Sequence, residues 1–254
     1  MKGMGFFKKR HRSARPPISG APGKRLYAIG DVHGCAEEFD TLLAMILEDH
    51  EARPEKPVFV VSLGDLIDRG PDSRRVIETF MRFSLPLGKK LLIAGNHEEM
   101  LLRGLKDDPT VLPDWLRHGG YAFCESYGLD GFDLIGLEPP KIAQLISDAM
   151  PPDHIGFLSS GVERVRFGDY LLVHAGINPE RSLEEQTGRD LRWIREPFLS
   201  STDYFGAVVV HGHTITDEVV DKPNRIGLDT GAYRTGRLTA VRLEEDEREF
   251  LSTN

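Results

Sequence analysis

The chain has 254 residues, long enough for one large domain, and 40% of them are hydrophobic, enough for a well-buried core. Its 40 acidic against 32 basic residues give a net charge of -8, which argues against general nucleic-acid binding, because phosphate backbones reward basic surfaces. Cys35 and Cys124 make neither a disulfide framework nor a zinc spacing and point to a reducing, cytoplasmic setting, and no apolar run approaches the roughly 20 residues that span a bilayer.

Residues 1–22 carry scattered bases (Lys2, Lys8, Lys9, Arg10, Arg12, Arg15) without an apolar run, which predicts a basic disordered tail rather than a secretory signal. Residues 23–254 then read as one domain. Residues 25–30 predict a strand that runs into Asp31, and Phe39, Leu42, Leu43, Ile46 and Leu47 mark the core face of a helix over 37–49. Residues 57–63 are apolar on both faces, as in a buried parallel strand. Asp72-Ser73 suits the cap of a helix facing the core with Val76, Ile77, Phe80 and Met81, and residues 91–94 predict a third strand. The order β-α-β-α-β implies parallel strands with right-handed crossovers. Residues 98–160 turn helical and are broken by prolines, which predicts a helical insertion beside the site. From 162 onward strands return: 162–167 and 170–173 around a Gly168-Asp169 turn, then 207–210, 225–228 and 238–243, with a turn over 233–237. The architecture that fits is α/β (α+β): a two-sheet β-sandwich flanked by helices, with ligands at strand ends.

Chemistry-bearing residues cluster where those strands should end. The blocks are Gly30-Asp31-Val32-His33-Gly34, Gly64-Asp65-Leu66-Ile67-Asp68-Arg69-Gly70, Gly95-Asn96-His97-Glu98, and histidine turns at His174 and His213. A carboxylate with an imidazole, as in Asp31 and His33, suits Mn²⁺, Fe or Zn better than Mg²⁺ or Ca²⁺. Asp65 has two oxygens and is the natural bridge between two cations. Asn96 offers an amide oxygen, and His174 and His213 offer nitrogens. The sum is two borderline divalent cations with positions left for water. Arg69 can fork two phosphate oxygens, and a surface salt bridge is the plainer alternative. His97 can protonate a leaving alkoxide while Asp68 accepts its other N–H, or it can serve as a further nitrogen ligand.

With these blocks in this order, the chain resembles the phosphoprotein phosphatase family of calcineurin-like metallophosphoesterases, especially its compact bacterial and phage-type members, over residues 25–235. His174-Ala175-Gly176 and Gly212-His213-Thr214 complete the pattern. The resemblance implies the metallophosphoesterase fold. It implies that Asp31, His33 and Asp65 hold one metal and that Asp65, Asn96, His174 and His213 hold the other, with Mn²⁺ the expected ion. Arg69, Asn96 and a second arginine would bind phosphate. Arg195 is the candidate for that arginine, with Arg192 and Arg189 as rivals. Asp229-Thr230-Gly231-Ala232 is also family-like and is read as support near the site. His211 is expected to pack behind His213. Ile215 stands where other metallophosphoesterases carry a second histidine, which favours the protein-phosphatase branch.

The expected reaction is direct hydrolysis of phosphoserine or phosphothreonine in a phosphoprotein or phosphopeptide, with phosphotyrosine also within reach. A hydroxide bridging the metals attacks, and His97 acts as acid. Cys35 is expected to be a small buried hydrophobe rather than a nucleophile. Two other readings stay open. A symmetrical diadenosine tetraphosphate hydrolase would share the metal core, and Gly34-Cys35 is reminiscent of some of them. A non-catalytic metal-dependent binding protein would need no acid beside its ligands. Comparing rates on a phosphopeptide and on the dinucleotide separates the first two.

Overall fold

The computed structural model describes residues 18–253. The expected tail lies mostly outside that range, but its last residues belong to the fold. Gly20 N–H donates to Glu245 O at 2.6 Å, Ser19 N–H donates to Asp169 Oδ2 at 2.9 Å, and Ile18 packs on the inter-sheet core.

Among the described residues, ten strands form two five-stranded sheets. The first sheet holds β1 (Arg25–Ile29), β2 (Val58–Ser62), β3 (Gly88–Leu92), β9 (Thr239–Glu244) and β10 (Glu247–Ser252), in the order β10-β9-β1-β2-β3. β1, β2 and β3 are parallel, β9 runs antiparallel to β1, and β10 runs antiparallel to β9. The second holds β4 (Val165–Phe167), β5 (Tyr170–Leu172), β6 (Val208–His211), β7 (Val220–Asp221) and β8 (Arg225–Gly227), in the order β4-β5-β6-β8-β7. β5, β6 and β8 are parallel.

Strand alternation distributes side chains among three cores. In β1, Leu26 and Ala28 face the second sheet, whereas Tyr27 and Ile29 face the helices. In β5 and β6, Tyr170, Leu172, Val208 and Val210 meet the first sheet, and Leu171 and Val209 turn outward to a smaller cluster with Phe198 and Leu191. This double burial explains why β1, β2, β5 and β6 read as unbroken apolar runs.

The helices against the first sheet are α1 (Ala36–Glu51) and α2 (Ser73–Arg82), the latter capped by Asp72, whose side chain accepts the Arg75 N–H. Residues 96–159 are helical with short turns: α3 (Asn96–Lys106), α4 (Leu112–Trp115), α5 (Tyr121–Ser126), α6 (Pro139–Ala149) and α7 (Pro152–Ser159). A π-turn over Leu116–Gly120, kinked at Gly119, joins α4 to α5. Two single turns, α8 (Gly188–Trp193) and α9 (Ala232–Thr235), lie further on.

Several expected boundaries shift. The third strand is Gly88–Leu92 rather than 91–94: beyond Leu92 the chain keeps one bond to β2, from Ile93 N–H to Ser62 O at 2.9 Å, and an isolated bridge from Ile93 to Val162 before it turns to the site. The strand expected over 162–167 shortens to β4, since only Val165–Phe167 pair with β5. The turn expected over 233–237 is α9, ended by Gly236 in the left-handed region. No helix among the described residues is long and apolar enough to cross a membrane.

Candidate active site

The parallel strands of both sheets deliver their carboxyl ends to one place. Asp31 and His33 follow β1, Asp65 follows β2, Asn96 opens α3 after β3, His174 follows β5, and His213 follows β6. All six are buried. His33, Asp65, Asp68, Arg69 and His213 have φ of 47°, 51°, 73°, 67° and 65°. Left-handed backbone costs a non-glycine residue roughly 1–2 kcal/mol. Interlocked loops hold it there: Val32 and His33 both donate to Asp65 O, at 3.1 and 2.8 Å, and Gly34 N–H donates to Leu66 O at 2.9 Å.

Two groups of side chains with the donor atoms to hold a metal ion share Asp65. His33, Asp65 and His97 form one, and Asp65, His174 and His213 form the other, with the ligand atoms of each within 4.8 Å of one another. Asp31 stands outside both. Its Oδ2 accepts the His213 backbone N–H at 2.9 Å, and its Oδ1 is buried without a partner among the described residues. Asn96 Oδ1 lies 2.9 Å from both His174 Nε2 and His213 Nδ1.

The tautomers show what the site accommodates. His174 Nδ1 lies 2.9 Å from Leu63 O and His33 Nδ1 lies 2.8 Å from Ile67 O, so each donates there and presents a lone pair at Nε2. Burial lowers the pKa of both rings and takes that of His213 down to about 3, so they are neutral. The His174 lone pair therefore faces Asn96 Oδ1 and, at 3.5 Å, Asp65 Oδ2. Acceptors converging on acceptors are satisfied by a cation. So are the partnerless Asp31 Oδ1 and His213 Nε2. Asp229 adds acid beside Asp31, and burial raises its pKa to about 6. Asp31 is raised as well, by burial and by the neighbouring Asp229 and Asp65. The donor set of imidazole nitrogens and carboxylate oxygens fits divalent metal ions.

Within the first group, His97 Nδ1 donates to Asp68 Oδ2 at 2.6 Å. Burial works against charge on His97, but Asp65 and Asp68 outweigh it and raise its pKa. Arg69 reaches His33 Nε2 with NH1 at 2.9 Å and His97 Nε2 with NH2 at 3.0 Å. Its guanidinium lies 4.9 Å from the centre of the Tyr233 ring. A cavity of about 220 Å³ opens here, lined by Arg69, Asn96, His97, Trp115, Arg195 and His213 among others. Arg195 thus faces the site. Arg192 is instead engaged by Glu99 and Glu163. His211 lies behind His213, its Nδ1 on Gly212 O at 2.9 Å. Burial raises the Cys35 thiol to about 12, so it stays protonated and unreactive.

Three residues beyond the expected set hold this arrangement. Glu98 is fully buried. Its Oε2 accepts the backbone N–H groups of Asp65 and Gly95, at 2.9 and 3.0 Å, and its Oε1 accepts that of Leu66 at 2.8 Å. Its place three residues after the Gly95 helix cap was the available signal. Trp115 Nε1 donates to Asp68 Oδ2 at 2.6 Å across 47 residues of sequence, and Tyr233 backs Arg69 from α9. Nothing local in the sequence marks either contact.

A fold of two packed sheets with shared-aspartate metal groups at their strand ends defines a metallophosphoesterase. Residues 24–236 match the calcineurin-like phosphoesterase family, and the chain belongs to it. Among its relatives, a symmetrical bis(5'-nucleosyl)-tetraphosphatase of Janthinobacterium sp. (strain Marseille) is 30% identical over 268 aligned positions, covering 86% of this chain and 93% of the relative. Serine/threonine-protein phosphatase 1 of Salmonella typhimurium is 28% identical over 230 positions, covering 87% and 93%. The crystal structure of a cold-active protein-tyrosine phosphatase of Shewanella sp. shares the fold with a TM-score of 0.55, at 19% identity over 92% of this chain and 83% of that one. The chain is thus a phosphoesterase of the metal-dependent kind.

Proposed function

We propose that this chain is a dinuclear metal-dependent phosphoprotein phosphatase that hydrolyses phosphoserine and phosphothreonine monoesters. The observation that carries the reading is the pair of side-chain groups sharing Asp65, one with His33 and His97 and the other with His174 and His213, with Arg69 reaching both His33 and His97. In this reading Asp31, His33 and Asp65 hold one ion, and Asp65, Asn96, His174 and His213 hold the other, with Mn²⁺ the expected metal. Bound divalent ions supply nucleophilic water at neutral pH and offset phosphate charge.

The chain's own groups do the rest. Arg69 and Arg195 fork the phosphoryl oxygens, assisted by the Asn96 amide. Water provides the oxygen that replaces the ester oxygen on phosphorus. As the ester P–O bond breaks, its electron pair leaves with the serine or threonine oxygen, which takes a proton from His97 Nε2. Asp68 steadies the imidazole through Nδ1, and solvent returns the proton.

Hydrolysis of symmetrical diadenosine tetraphosphate is the second reading, favoured by the Janthinobacterium relative's identity. Alignment length supports the first. The 268-position alignment takes in 86% of this chain, so roughly fifty of its positions face a gap here, whereas the Salmonella phosphatase alignment leaves about nine. The deciding experiment compares a phosphothreonine peptide with diadenosine tetraphosphate in Mn²⁺ buffer, with Asp65→Asn as control. Peptide turnover well above that of the dinucleotide supports the proposal, and the reverse order replaces it with the second reading. Wild-type rates in Asp65→Asn would end the shared-aspartate assignment for both.

A further inference from the structure

The helical stretch grips the Asp68-Arg69 dipeptide at two points. Trp115 Nε1–H donates to Asp68 Oδ2 at 2.6 Å, the same oxygen that takes His97 Nδ1–H at 2.6 Å. Four residues on, Gly119 O accepts the Arg69 backbone N–H at 3.1 Å. That approach needs glycine: φ at Gly119 is 123°, and a Cβ there would lie 2.8 Å from Arg69 N. The Trp115 indole is buried and edge-on to Phe123, with ring centres 5.5 Å apart, so its N–H has a fixed direction. Asp68 Oδ1 is buried without a partner among the described residues, so both side-chain donors pull on one oxygen and set the rotation of the carboxylate.

We infer that Trp115 is a positioning residue for proton donation. Its N–H holds Asp68 Oδ2 against His97 Nδ1, so that His97 aims Nε2 at the leaving oxygen. The turn from Trp115 to Gly120 ties that aim to the backbone of the phosphate-binding arginine. The inference rests on the reading of His97 as the acid. A purely packing role for Trp115 predicts something different: a loss that does not depend on how much the leaving oxygen needs a proton.

Trp115→Phe keeps a ring against Phe123 and removes the donor. A second variant carrying 3-benzothienylalanine at position 115 replaces N–H by sulfur at nearly the same shape and guards against a folding defect. kcat and KM are measured with Mn²⁺ on 2,4-dinitrophenyl phosphate, whose leaving group needs little protonation, and on phenyl phosphate, whose leaving group needs it. The expected result for both variants is a fall in kcat of about tenfold on phenyl phosphate and of less than about twofold on the dinitrophenyl ester, with KM unchanged. This is a fraction of the roughly 10²–10⁴ that general acid catalysis supplies. His97→Asn, run in parallel, should show the same split enlarged. If His97→Asn shows it and neither Trp115 variant does, the positioning role is wrong and the acid assignment stands. If His97→Asn slows both esters alike, the acid assignment fails and the inference falls with it.

Discussion

Gly212 and Asp31 meet so closely that a Cβ on Gly212 would lie 1.9 Å from Asp31 Oδ1. The carboxylate occupies space that any other residue at 212 would fill. Gly212→Ala should therefore turn Asp31 out of place and lower bound metal. Metal analysis of the purified variant should find less than the wild-type content, with Mn²⁺-dependent hydrolysis of p-nitrophenyl phosphate down by about 100-fold, the upper end of the effect of disturbing a metal site's surroundings. Full metal content with normal turnover would show that Asp31 is not a ligand.

Glu98 makes a second, more hidden demand. Its carboxylate satisfies three backbone N–H groups around Asp65, and a glutamine offers one oxygen and turns an NH₂ toward a donor. Glu98→Gln should lose about 1–3 kcal/mol of stability, visible as a lower Tm. Mn²⁺ titration should also show affinity weakened by about 10- to 100-fold. A variant that matched wild type in both would mean that the Asp65 loop holds itself.

Arg195 and Arg192 stand three residues apart and should behave differently. Arg195 faces the cavity, so Arg195→Ala should raise KM for phosphomonoesters by about tenfold, the loss of one charge-assisted hydrogen bond. Arg192 is held by Glu99 and Glu163, so Arg192→Ala should leave KM within about twofold of wild type. Steady-state kinetics on both variants checks the assignment, and the opposite pattern would move the phosphate contact to Arg192.

Far from the site, Glu244 should contribute to acid stability. Burial opposes its charge, but Arg25, 2.7 Å away, and Lys56 outweigh burial and hold its pKa at about 2. The folded value lies below the ordinary 4.5 of glutamate. Its contribution is therefore complete above about pH 4.5 and is lost as pH falls toward 2. Glu244→Gln should cost about 2 kcal/mol at pH 7 and leave buried Arg25 without its partner charge. Tm measured from pH 7 down to pH 2 should fall less steeply in the variant, and an unchanged slope would remove Glu244 from the account.

Much of the fold was readable because the inner strands are buried on both faces and end on chemically distinctive residues. β1, β2, β5 and β6 announced themselves as apolar runs, and glycines beside charged or imidazole side chains marked their ends. β10 escaped notice because Glu247, Arg248 and Glu249 are exposed and dilute any alternation, and β7 has only two residues. α8 is one turn and carries no apolar stripe. In the site, the residues that the structure gathers around Asp65 were visible in the sequence because each lies in a short local motif. Trp115 and Tyr233 were not, since their roles depend on which distant carboxylate or guanidinium the tertiary fold brings to them. Glu98 lay in plain view within its motif, but three backbone hydrogen bonds are invisible until the loop they close has a shape.

The division of β1 between two cores bears on how the molecule comes apart. Leu26 and Ala28 need the second sheet, and Tyr27 and Ile29 need the helices, so neither half can leave without stripping one side of the same five-residue strand. Melting should thus be a single concerted event, with no long-lived half-molecule on the way. Proteolytic fragments cut between β3 and β5 should remain unstructured apart and regain order only when mixed.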